Sequence, residues 1–189
     1  MTAASRYSTV AIVLHWGIAI MIIGQLFGGF YVHELPKRSP EYFELMQLHK
    51  SLGITILLLS LLRLGWRLTH RPPPLPAAMP GWQKAASTAT HWLFYAAMIG
   101  VPLGGWLVVS SSPFAPSVPT YLWGVVPWPH LPFFDGVADR KELSEQFAEM
   151  HEIGAKSIIA LLGLHLAAVV KHVFIDRDGL LSRMIPART

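Results

Sequence analysis

The chain has 189 residues, 52% of them hydrophobic and 14% charged, with a formal net charge of +4. A soluble domain carries about 25% charged residues, so this composition excludes both an ordinary water-coated globule and a disordered chain, and leaves an integral membrane protein. Cysteine is absent, which excludes disulfides, thiolate metal sites and a cysteine-held iron–sulfur cluster.

A helical crossing takes about 20 mostly apolar residues, and four stretches qualify, at about residues 9–32, 45–66, 88–110 and 150–174. The first follows Arg6 and resembles a signal peptide. Its apolar run is too long for that, no small-x-small cleavage site follows, and His15 and Gln25 inside it need a purpose, so it reads as a true span. The link after the second span holds Arg71-Pro72-Pro73-Pro74-Leu75-Pro76, a stiff polyproline spacer. The longest loop, residues 111–149, is rich in proline and aromatics and reads as a lid packed down on the membrane surface, ending in an amphipathic helix that leads into the fourth span.

Charge sets the orientation. With both termini in the cytoplasm, that side holds Arg6, Arg63, Arg67, Arg71, Lys84, Lys171, Arg177, Arg183 and Arg188, nine of the fifteen Lys and Arg. The positive-inside rule favours this arrangement. No basic soluble face appears, so nucleic acid is not an expected partner. The expected fold is all-α, an integral membrane four-helix bundle with both termini cytoplasmic. It forms a single domain over residues 1–189, in contact with lipid.

The chemistry rests on histidine. An ionisable side chain inside a span is a functional candidate by default, and neutral imidazole is a ligand for iron, zinc or copper. His15 lies in the first span toward the cytoplasm, His49 in the second toward the outside, and His151 and His165 at the two ends of the fourth. The 14 residues between His151 and His165 bring them within about 40° of one face and about 21 Å apart along the axis, too far for one metal. Depth pairs His15 with His165 and His49 with His151. Each pair can hold one haem iron between facing helices, with both axial positions filled and electron transfer as the result. Glycines at 17, 24, 28, 29, 53, 100, 104, 105, 154 and 163 leave room for a planar cofactor, or serve close helix packing. Zinc or copper fits less well, because no carboxylate or thiol completes either pair.

His91, just inside the third span, is either a fifth ligand or a polar group of a quinone site, with no partner left at its depth. His172, one heptad after His165, can bond a quinone carbonyl or deliver a proton, or simply snorkel at the interface. His33, His70 and His130 read as solvated. Arg63 and Lys156 can pair with haem propionates, although Arg63 snorkelling to the interface is the better reading.

These residues resemble the bacterial cytochrome b561 family over nearly the whole chain. The resemblance rests on Arg6-Tyr7-Ser8 leading to His15-Trp16, Leu48-His49-Lys50-Ser51-Leu52-Gly53-Ile54, and Arg63-Leu64-Gly65-Trp66-Arg67 with prolines behind. It continues through His91, Tyr95 and Pro102, then His151 and Gly154, and closes with Gly163-Leu164-His165 and the run from Lys171 to Asp178. It implies a bundle in the bacterial inner membrane holding two b haems, ligated by His15, His49, His151 and His165, and electron exchange with quinone. One branch of the family oxidises superoxide outside and reduces ubiquinone, and the family residue matching His172 is associated with the quinone end. The long, acidic outer loop departs from the family and puts the external donor in doubt. The expected function is therefore electron transfer between an external donor, with superoxide a candidate, and the quinone pool. A non-catalytic conduit or anchor for a periplasmic redox protein is the first alternative, and a haem-free structural membrane protein the second.

Overall fold

A computed structural model describes residues 6–37 and 39–185. Four long helices dominate it: α1 (Thr9–Glu34), α2 (Pro40–Thr69), α3 (Gly81–Ser111) and α4 (Arg140–Val170), the last continuing into a π-helical turn at Lys171–Asp176. At about 1.5 Å per residue each exceeds the roughly 30 Å hydrocarbon layer, so the helix ends project beyond it. Four helices are long and apolar enough to cross a membrane.

Local sequence fixes the starts. Ser8, Ser39 and Asp139 accept hydrogen bonds from the backbone N–H of Ala11, Tyr42 and Glu142 at 3.3, 3.1 and 3.0 Å. Each such cap stabilises its helix by about 1 kcal/mol. Pro40 adds a preset first turn, and the prolines after Arg71 cannot extend α2.

Helix α1 packs on α2, α2 on α3, and α3 on α4. The tightest approach is at Gly154, where an added Cβ would stand 2.6 Å from Val101 Cγ2. The protein is apolar outward: Phe27 is 75% exposed, and Ile20, Leu164 and Phe174 are similarly bare. Lipid is the solvent that suits such a surface. The buried apolar centre is small, built on Ile18, Tyr95 and Met98.

The two ends differ. At one, the terminal segments meet: Tyr7 N–H donates to Arg183 O (3.3 Å) and Trp16 Nε1 to Met184 O (2.8 Å). The other carries an antiparallel hairpin, β1 (Thr120–Leu122) and β2 (Val126–Trp128), with Thr120 opposite Trp128 and Leu122 opposite Val126. Its turn needs two left-handed residues, Trp123 (φ 53°) and Gly124 (φ 74°). That conformation is costly for tryptophan. It is held by Trp123 N–H donating to Ser51 Oγ (2.9 Å) on α2. Ser51 also donates to Tyr121 O (3.3 Å), and Gln47 Nε2 to Pro119 O (2.8 Å). The loop between α3 and α4 is thus a folded plug seated on α2. The amphipathic helix expected at its end is the first part of α4.

Candidate functional site

Helix α4 carries His151 and His165 past two neighbours. The His15 and His165 rings have centroids 6.3 Å apart at 67°, bridging α1 and α4. The His49 and His151 rings have centroids 6.1 Å apart at 78°, bridging α2 and α4. His151 Nδ1 lies 2.9 Å from Val101 O. A carbonyl only accepts, so Nδ1 is the protonated nitrogen, and Nε2 of the neutral ring keeps its lone pair for a metal. Gln25 Nε2 donates to His49 O (2.7 Å), a role that explains an amide within α1.

Three observations test whether this set suits haem iron. The ring centroids, 6.3 and 6.1 Å apart, leave room for one metal atom between the imidazoles of each pair. The Nδ1 atoms of His15 and His49 are buried without a protein partner. Glycine also clears the space. A Cβ on Gly105 would lie 3.0 Å from His151 Cε1, and one on Gly29 would lie 3.3 Å from His49 Cε1, while a Cβ on Gly17, Gly24, Gly28, Gly100 or Gly163 would meet nothing within 4 Å. Gly154, against Val101, is the helix-packing case. The donor set fits haem.

The profile of the family described as prokaryotic cytochrome b561 matches residues 6–187. The chain belongs to this family. It is 28% identical over 181 residues to cytochrome b561 homolog 2 of Escherichia coli K12, covering 95% of this chain and 91% of that one. It is 25% identical over 185 residues to homolog 1 of the same strain (97% and 99%). It is 23% identical over 185 residues to a probable superoxide oxidase of Yersinia pestis (97% and 97%). A cytochrome b561 is a multi-pass bacterial membrane electron-transfer protein that binds b-type haem, and this chain is one.

The cytochrome b561 fold corrects several smaller expectations. His91 does have a partner at its depth: its ring centroid lies 6.3 Å from that of His165, so three imidazoles meet at the end of the bundle that carries the termini. Lys156 pairs with Glu152 (2.7 Å), both side chains more than 60% exposed on the outside of α4, and does not face the histidines. Arg63 turns inward over the Tyr95 ring, 5.8 Å from its centroid, instead of snorkelling outward. His70 is exposed, as expected, and its ring stacks on Trp66 at 3.7 Å. His130 is half-buried, with Nε2 3.5 Å from Thr120 Oγ1, whose other neighbour is Lys50 Nζ (3.3 Å). Burial, then the Lys50 and Arg140 charges, push the His130 pKa below the ordinary imidazole value. His33 is exposed as expected. Arg188 falls outside the described residues.

His172, the second residue of the π-helical turn, is more tightly organised than a snorkelling residue. Its Nδ1 lies 2.7 Å from Asp178 Oδ2 and 3.1 Å from Asp176 Oδ2, and Lys171 Nζ closes on Asp176 at 2.5 Å. Sequence reading missed Asp176 and Asp178 as partners, although carboxylates four and six residues after a histidine were the available signal. It also missed Lys50, Ser51 and Gln47, whose contacts lie about 70 residues away.

Proposed function

We propose that residues 1–189 form a single transmembrane cytochrome domain in which His15 and His165 would hold one b haem at the inner end and His49 and His151 a second at the outer. It transfers electrons across the bacterial cytoplasmic membrane between an external donor and the quinone pool, with both termini cytoplasmic. The observation that carries this reading is the pair of imidazole couples on α4, 14 residues apart, each with room for one metal atom between its rings. Iron held between two imidazoles supplies reversible one-electron chemistry with no open position for oxygen.

The chain's own groups do the rest. Val101 O fixes the His151 tautomer, and Gln25 holds the His49 backbone. His15 is preferred over His91 as the inner ligand on the family resemblance, since both rings stand 6.3 Å from that of His165. His172, oriented by Asp178, presents Nε2 at the mouth that a quinone carbonyl would approach. Ubiquinone is the proposed acceptor, and superoxide a proposed donor. In that version the protein is a superoxide:ubiquinone oxidoreductase, supported by the likeness to the Yersinia protein. A second version, a conduit for a periplasmic redox protein, draws support from the plug. It is fastened to α2 beside His49 and exposes Trp123, Val125 and Val126.

The test is stopped-flow spectroscopy on the purified holoprotein. Superoxide should reduce the haem bands within the mixing time range and a soluble ubiquinone should reoxidise them. Reduction only by a redox protein selects the conduit. No reoxidation by quinone defeats the acceptor assignment.

A further inference from the structure

We propose that the end of the bundle carrying the termini holds a binding site for the headgroup of an anionic phospholipid. A cavity of about 550 Å³ lies there between the start of α1, the end of α2 and the prolines behind it. Its walls carry four guanidinium groups, those of Arg6, Arg63, Arg67 and Arg71, and no carboxylate. Among the described residues none of the four forms an ion pair. What they have instead is aromatic. Arg63 and Arg67 lie 5.8 and 5.7 Å from the Tyr95 ring centroid, and Arg67 lies 5.5 Å from that of Trp92. Arg6 is tied by its guanidinium to Ile185 O, which neutralises nothing.

Clustered guanidinium groups repel one another unless an anion joins them. Arginine forks match the oxygens of phosphate in pairs. The placement selects a lipid phosphate over other oxyanions. Arg67 lies four residues beyond Arg63, about 6 Å farther along α2 from the histidines at this end, and Arg71 lies just past the end of α2 at Thr69. Trp66 and Trp92 stand at the same end, as aromatics do at headgroup level. Basic pockets between span ends are a known form of lipid headgroup site. A haem held at this end would bring two propionates, enough for Arg63 and Arg67, which leaves Arg6 and Arg71 for the lipid.

The experiment compares purified holoprotein with Arg6→Gln/Arg71→Gln, by native mass spectrometry and thermal denaturation. Vesicles of phosphatidylglycerol, vesicles of phosphatidylcholine and inorganic phosphate are the probes. Wild type should retain phosphatidylglycerol and be stabilised by it more than by phosphatidylcholine. The variant should bind it about 30-fold more weakly, at roughly tenfold per 1.4 kcal/mol and about 1 kcal/mol per arginine. If the variant fails to fold, the wild type alone decides: its preference for phosphatidylglycerol should fade between low salt and 0.5 M salt, roughly. Equal retention of the two lipids overturns the proposal. So does full replacement of the effect by inorganic phosphate. Loss of haem from the variant with lipid retention unchanged also overturns it, and assigns the arginines to propionates.

Discussion

Substituting Gly105 on α3 tests how closely the outer histidines are cradled. An alanine Cβ there would stand 3.0 Å from His151 Cε1 and 3.3 Å from its Nδ1, where ordinary contact begins at 3.4 Å, so the ring must retreat by about 0.4 Å (3.4 − 3.0). The Nδ1 bond to Val101 O, at 2.9 Å, tolerates that. Gly105→Ala should therefore keep the outer haem, held up to about tenfold more weakly. Valine reaches about 1.5 Å farther, one carbon–carbon bond, and should break that bond. Overpacking of about 1–3 kcal/mol and loss of a hydrogen bond of about 1 kcal/mol together weaken outer haem binding about 30- to 700-fold. The assay is pyridine haemochrome per chain after purification. Gly105→Val should retain one haem, and Gly105→Val combined with His165→Ala none. Two haems in Gly105→Val, or one surviving in the combined variant, would refute the reasoning.

Gly154→Ala should destabilise the bundle by about 1–3 kcal/mol through its clash with Val101, and Val101→Ala should restore most of the loss in reversible unfolding. Asp178→Asn should slow quinone reduction while leaving both haem spectra in place, since Asp178 orients His172 and touches no proposed ligand; unchanged quinone kinetics would end that role. His91→Ala should keep both haems whereas His15→Ala loses one, and the reverse result would exchange the two as ligands. His130 predicts a pH effect. Its folded pKa is depressed, so below about 6.5 the unfolded chain binds more protons and stability falls as pH drops. His130→Gln should remove part of that fall in thermal scans between pH 7 and pH 5.5, roughly.

The four spans were legible because each is a long apolar run, but their ends were not. Helix α3 begins at Gly81, seven residues before the point where hydropathy starts the span, whereas the early start of α4 at Arg140 was marked by its amphipathic lead-in. The offset in α3 hid His91. It sits ten residues into α3, deep enough to reach His165, although it had read as lying just inside the span. The α4 spacing of His151 and His165 was readable because helical periodicity converts 14 residues into one face. The plug was not. Trp123 adopts a left-handed conformation only because Ser51, 72 residues earlier, receives its N–H, and no local pattern encodes such a contact. Lys156 misled for the opposite reason. Its apolar neighbourhood suggested an inward cation, yet Glu152 one turn earlier already supplied an outward partner.

The most direct measurement is the haem-to-chain ratio, with a redox-titrated optical spectrum, for wild type, His151→Ala, His165→Ala and the double variant. The account predicts two b haems in wild type, a different single haem in each variant and none in the double. A wild type that stays colourless when supplied with haem, or a double variant that keeps one, would contradict it.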